Sequence, residues 1–268
     1  MPELPEVEIV TQNLTQIIHP PVVIKQWKFF RKDLRFTIPQ ARLKKLIGQK
    51  ILKISRRAKY ILFELADEVI ISHLGMTGSW RLENSDWKKR THDHLAFSFK
   101  SDNFLVYEDP RRFGFIELIQ KSQLSSRFKN LGYEPLADNY NLNSVLKEVK
   151  APIKTALMNQ KYIVGIGNIY ASEILFAARV SPLKSCMRVS DQQYQNIQVE
   201  IKKILNQAIQ NGGSSIDNYR NGYGEKGDYQ TQHQVYGRES EACFACGGSI
   251  QSQALSGRST FWCAHCQK

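Results

Sequence analysis

Ile51-Leu52-Lys53-Ile54-Ser55-Arg56-Arg57-Ala58-Lys59-Tyr60-Ile61-Leu62-Phe63-Glu64-Leu65 is rich in Ile, Leu and Phe with partial two-residue alternation, the pattern of half-buried β-strands. Working outward, VIISHLGMTGSWRLE (69–83) and HLAFSFKSDNFLVYED (94–109) repeat it, and FGFIELIQ (113–120) alternates again. The Ser101-Asp102-Asn103 stretch between LAFSFK and FLVYED reads as a hairpin turn. Antiparallel strands joined by turns predict a sandwich or barrel-like layer.

Upstream lies MPELPEVE (1–8). Pro5 suits the first position of a helix, and Glu6 and Glu8 face the positive end of its dipole. Val7, Val10, Leu14 and Ile17 recur at helical spacing, so an amphipathic helix is expected from Pro5 to Ile18. That leaves Pro2 and Glu3 without a structural reason.

Downstream of Lys121 the composition changes. LGYEPLADNYN (131–141) is turn-rich and reads as a linker. VKAPIKTALMNQ (149–160), NIYASEILFAARV (168–180) and QQYQNIQVEIKKILNQAIQN (192–211) carry helical spacing, the last stopping at Asn211-Gly212-Gly213. DNYRNGYGEKGDYQTQ (217–232) is polar and glycine-rich and is expected to be a loop. The chain closes on Cys243-Phe-Ala-Cys246, sixteen intervening residues, and Cys263-Ala-His-Cys266, a spacing that fits a four-thiolate structural zinc site. Two disulfides are the competing pairing; the N-terminus lacks the basic and apolar segments of a secretion signal, which favours zinc.

The 268 residues suffice for two domains, each with its own core. Lys plus Arg number 37 against 25 Asp plus Glu, a net charge of +12, which suggests a polyanionic partner. No run approaches the roughly 18 apolar residues of a membrane span. Gly165-Ile-Gly167 before a helix suits a turn whose amides, with Asn168, hold a phosphate. Arg258, between the CxxC pairs, would stand at the tip of a zinc-closed hairpin, where a planar guanidinium suits a phosphate. HLGM (73–76) and DPRRFG (109–114) add Met76, Arg111 and Phe113, residues that can be pushed into a base stack.

PELPEVE, RRAKY, HLGM, DPRRFG, GIGNIYASE and CxxC-x16-CxxC occur in one order across nearly the whole chain, and in that order they closely resemble the bacterial formamidopyrimidine-DNA glycosylases. The resemblance implies an α+β protein: an N-terminal antiparallel β-sandwich with flanking helices, then a helical helix–two-turn–helix module and a β-hairpin zinc finger. On this basis residues 1–132 form a catalytic sandwich domain with its N-terminal helix, 133–150 a linker, 151–224 a helical DNA-binding domain, and 225–268 the end of a lesion loop and the zinc finger. It implies a bifunctional glycosylase and abasic-site lyase acting on oxidised purines in duplex DNA.

The same resemblance assigns roles. Removal of Met1 would expose Pro2 as the nucleophilic amine, with Glu3 as general acid, Glu6 as a supporting carboxylate and Lys59 as a lysine touching DNA backbone and damaged nucleotide. Met76, Arg111 and Phe113 would fill the vacated space, Arg111 reading the orphaned cytosine. Asn168 and Arg258 would clamp phosphates, Arg258 as part of the catalytic set, and His73, Lys154 and Tyr236 would approach the backbone. Cys243, Cys246, Cys263 and Cys266 would hold one structural zinc ion, and the segment at 217–229 would close over the extruded base. A monomer in the bacterial cytoplasm, associated with the nucleoid through DNA and with no membrane partner, is the expected setting. Two alternatives are an endonuclease VIII-type enzyme for oxidised pyrimidines, which typically opens PEGPE and lacks DPRRFG, and a non-catalytic DNA-binding zinc protein, which would have no need of Pro2, Glu3 and Lys59. His233 and Thr155 stand where relatives usually carry an aliphatic residue and proline.

Overall fold

The computed structural model describes residues 1–100, 103–214 and 227–268. It divides into two compact units: Met1–Lys129 with Gly212–Asp228, and Asn130–Asn211 with Tyr229–Lys268.

The first unit is built on two four-stranded antiparallel sheets. One runs in the order Phe115–Gln120, Glu68–His73, Tyr60–Glu64, Lys53–Arg57; the other runs Gln26–Phe29, Asp93–Lys100, Asn103–Glu108, Ser79–Asn84. Alternate residues of each strand point inward and share one core. Phe63 of the first sheet meets Trp80 and Phe97 of the second at ring-centroid distances of 5.6 and 6.0 Å. This is a β-sandwich, as the strand pattern predicts. Of the expected turn at 101–103, Ser101 and Asp102 lie outside the described residues.

Helix Leu4–Ile18 buries Val7, Val10, Leu14, Ile17 and Ile18 in the same core and packs against the strands Lys53–Arg57 and Tyr60–Glu64. Its start is fixed by a capping box between Glu3 and Glu6 with Pro5 in the first turn. The pairing Phe115↔His73 at the end of one ladder brings the loop after His73 beside the loop before Phe115.

The second unit has a helical core made by Leu142–Leu146, Ile153–Met158, Asn168–Ala177 and Asp191–Gln210. Ser190 caps the last of these, its hydroxyl accepting the Gln193 N–H at 3.2 Å. The hairpin Ile250–Leu255 and Arg258–Cys263 completes the unit. Ser256 and Gly257 form its two-residue turn with φ of 51° and 73°, the double left-handed conformation of a type I′ connection. The α+β class read from the sequence holds. Among the described residues no helix is long and apolar enough to cross a membrane.

Candidate active site and nucleic-acid interface

The extreme N-terminus is buried from Pro2 onward, with Glu3 3% and Glu6 1% exposed. Glu6 Oε2 accepts the Glu3 N–H at 2.8 Å, which holds the Pro2–Glu3 segment in place. Lys59 is also buried, in the turn between strands Lys53–Arg57 and Tyr60–Glu64. That turn is anchored to the helix. Arg56 donates to Glu8 through Nε at 2.6 Å and to the Ala58 carbonyl through Nη1 at 2.9 Å. Ala58 itself takes a left-handed φ of 53°, which turns the chain into Lys59.

His73 lies flat on Phe115, centroids 5.3 Å apart and planes 7° apart, with Tyr60 at 5.1 Å. Burial, reinforced by the charges of Lys59, Arg35 and Arg127, pushes its imidazole down to about 4. It is therefore neutral at cellular pH. Nδ1 accepts the Gly75 N–H at 3.0 Å, so the ring proton sits on Nε2, a neutral donor suited to a phosphate oxygen.

Two loops follow from the Phe115↔His73 register. Met76 is half-buried on the first; Arg111 is exposed and Phe113 is 44% exposed on the second. The Arg111 guanidinium lies 4.6 Å from the Phe113 ring centre. The two loops adjoin, with Arg111 and Phe113 exposed on one and Met76 half-buried on the other.

In the second unit, Gln160 shapes the turn before Asn168: its side chain accepts the Gly165 N–H at 2.7 Å and donates to the Met158 and Ile166 carbonyls. Gly165 has φ +80°, where only glycine is unstrained. Asn168 then opens helix Asn168–Ala177, its Nδ2 donating to the Ser259 carbonyl at 3.0 Å. Its place at the positive end of that helix suits an anion. Arg258, next to Ser259, is exposed at the hairpin tip.

Lys154 lies inside the protein. It is 1% exposed and its ammonium makes its full complement of three hydrogen bonds within the protein, to Asn168 Oδ1 at 2.6 Å, Thr260 Oγ1 at 2.9 Å and the Ser259 carbonyl at 3.0 Å. It holds the Asn168 side chain, which in turn donates to the Ser259 carbonyl. Tyr236 packs edge-on against Phe261 at 5.2 Å, and its backbone N–H, with those of Gln234 and Val235, is taken by the buried Glu173. Gln160 and Glu173 escape sequence reasoning, because each acts on backbone groups brought near by folding.

The four cysteine sulfurs lie within 4.8 Å of one another, with Cys246 and Cys263 at 3.4 Å and Cys243 and Cys266 at 3.9 Å. A tetrahedral ion with zinc–sulfur bonds of about 2.3 Å needs sulfurs about 3.8 Å apart. The donor set fits one zinc ion rather than two disulfides. Cys186 is a buried core thiol outside this group. Of the expected closing segment at 217–229, residues 217–226 lie outside the described residues.

Three family models match. They are the formamidopyrimidine-DNA glycosylase N-terminal domain over residues 1–116, its H2TH domain over 131–220, and a zinc finger found in FPG and IleRS over 240–268. The chain belongs to the formamidopyrimidine-DNA glycosylase family. It is 44% identical to the formamidopyrimidine-DNA glycosylase of Bdellovibrio bacteriovorus and 40% to that of Zymomonas mobilis, each over 100% of both chains. The structure of wild-type Lactococcus lactis Fpg with DNA containing N7-benzyl-Fapy-dG superposes with a TM-score of 0.91 at 37% identity over 100% of both chains. A complex of the same organism's enzyme with abasic-site DNA gives 0.91 at 36% identity over 99% of both. As a member of this family the chain is a DNA glycosylase and abasic-site lyase with a structural zinc site.

Proposed function

We propose that the chain excises oxidised purines, 8-oxoguanine and formamidopyrimidines, from duplex DNA through a Schiff base on Pro2, and then cuts the strand by β,δ-elimination. The observation that carries the reading is the fixed terminus: Pro2 and Glu3 buried and held by Glu6, in a chain of this family. Glu3 also caps the helix, but nothing in the helix requires Pro2.

With Met1 removed, Pro2 becomes a secondary amine. Free α-amines have a pKa of roughly 7.7–8.0, so a useful fraction carries a lone pair at neutral pH. That pair attacks the sugar C1′ as the glycosidic C–N bond breaks, the base leaving with the bonding electrons and taking up the proton that the Pro2 nitrogen releases. Opening of the C1′–O4′ bond, with Glu3 protonating O4′, leaves an iminium ion between C1′ and the Pro2 nitrogen. This cation accepts the electron pair freed when a proton leaves C2′, and collapse of the enamine expels the 3′ phosphate. A second proton loss, from C4′, expels the 5′ phosphate. Water hydrolyses the iminium and returns Pro2, leaving a one-nucleotide gap with phosphate on both sides.

Lys59 and the neutral His73 serve the DNA backbone and damaged nucleotide, and Glu6 holds the catalytic terminus. Met76 and Phe113 occupy the vacated stack while Arg111, which only donates, faces the O2 and N3 acceptors of cytosine. Asn168, Arg258 and Tyr236 serve the phosphates, and Lys154 supports Asn168. Bound zinc closes the base of the hairpin so that Arg258 is presented rigidly. The division of labour is a catalytic sandwich, a helical DNA-binding module and a zinc finger, working as a monomer in the bacterial cytoplasm on chromosomal DNA.

The test is cleavage of matched duplexes carrying one 8-oxoguanine opposite cytosine or one oxidised pyrimidine. Preferential cutting at 8-oxoguanine with phosphate on both ends supports the reading; a preference for the pyrimidine transfers the chain to the endonuclease VIII type.

A further inference from the structure

The function above needs Met76, Arg111 and Phe113 to enter DNA together, yet they sit on two loops. A single buried carboxylate joins those loops. Asp109 is 0% exposed. Its Oδ1 accepts the Thr77 hydroxyl at 2.5 Å and its Oδ2 accepts the Gly114 N–H at 2.8 Å. The Thr77 oxygen in turn accepts the Arg111 N–H at 3.1 Å. The Asp109 carbonyl accepts the Arg112 N–H at 3.1 Å and the His94 Nε2–H at 2.8 Å. Thr77, the residue after Met76, is therefore donor to Asp109 and acceptor from Arg111 at once.

The backbones interlock as well. Gly75 has φ +63°, and a Cβ there would lie 2.4 Å from the Gly114 nitrogen and from the Phe113 carbonyl carbon. A Cβ on Gly114 would meet the Tyr107 hydroxyl at 1.9 Å, and that hydroxyl donates to the His73 carbonyl. Neither loop can shift without displacing the other.

We propose that Asp109 and Thr77 are positioning residues that fix the three inserted side chains as one wedge, so that discrimination of the base opposite the lesion depends on the Thr77–Asp109 bond. The inference rests on the reading of Met76, Arg111 and Phe113 given above. Neither Thr77 nor Asp109 reaches the chemistry; they act through the angle at which Arg111 is presented.

Thr77→Val keeps the shape of the side chain but removes both hydrogen bonds, leaving Asp109 Oδ1 and the Arg111 N–H without their partner. Thr77→Ser keeps both. The experiment measures excision of 8-oxoguanine opposite cytosine and opposite adenine, and strand cutting at a preformed abasic site in single-stranded DNA, where no opposite base exists. Thr77→Val is expected to lower the cytosine-to-adenine ratio by roughly ten-fold, the cost of losing a hydrogen bond to a buried charge, while single-strand cutting is unchanged. Thr77→Ser is expected to restore the ratio. A Thr77→Val enzyme with the wild-type ratio, or one in which all three activities fall together, overturns the inference. Arg111→Ala run alongside separates the causes. If it alters the ratio and Thr77→Val does not, the inference alone fails; if neither alters it, the wedge reading fails and the inference with it.

Discussion

Glu6 Oε1 accepts the backbone N–H of Ser214 at 2.8 Å, a hydrogen bond between residues 208 positions apart. With the other oxygen on the Glu3 N–H at 2.8 Å, one carboxylate ties the start of the chain to the segment Gly212–Ser214. Gly213, at φ +77°, would place a Cβ 2.9 Å from Glu6 Oε1, so the approach requires glycine there.

Glu6→Gln tests that tie. An amide supplies one acceptor oxygen and an NH2 that must confront one of the two backbone N–H groups. A loss of about 2–3 kcal/mol in urea unfolding is expected, with slower covalent trapping on DNA. Wild-type stability in this variant would mean that the carboxylate's two bonds carry no net weight.

Lys154 and Arg258 differ in what they do to salt dependence. Arg258→Ala removes an exposed cation, and the slope of log affinity against log salt should fall by roughly one counterion. Lys154→Met takes a donor from Asn168 Oδ1, Thr260 Oγ1 and the Ser259 carbonyl, the last of which keeps the Asn168 Nδ2–H. It should cost about 3 kcal/mol of stability and weaken binding with the salt slope unchanged. A reduced slope in Lys154→Met would place its ammonium on a phosphate instead.

His73 makes stability depend on pH. Its folded pKa, about 4, lies below the ordinary 6.5, so acidification protonates the unfolded chain first. Its contribution is fully present above pH 6.5, declines between 6.5 and 4, and is constant below. The stability difference between wild type and His73→Asn should change by up to about 3 kcal/mol over that window, measured by denaturant unfolding at several pH values. A pH-independent difference would show that the imidazole is not held neutral by the fold.

What was legible in the sequence follows the range of the forces involved. The helix Leu4–Ile18 and the sandwich strands are written in periodicities of a few residues, and Pro5 and Glu6 mark the helix start locally, whereas the capping role of Glu3 emerges only in the fold. The cysteine spacing carries the metal site, because a four-thiolate ion needs two close pairs that a hairpin can bring together. The groups that position those parts were illegible. Thr77 with Asp109, Ser214 with Glu6, Glu173 with the Gln234–Tyr236 amides, and Lys154 with Thr260 are pairs 32 to 208 residues apart that exist only after folding.

In the proposed function Pro2 forms a covalent bond with the damaged nucleotide. Borohydride reduction during reaction with a duplex carrying 8-oxoguanine opposite cytosine, followed by peptide mass mapping, addresses it directly. A stable cross-link is expected at Pro2 in molecules that have lost Met1, and none from folded, zinc-loaded Pro2→Ala protein. A cross-link at a lysine instead, or none from folded, zinc-loaded, methionine-free wild type, would contradict it.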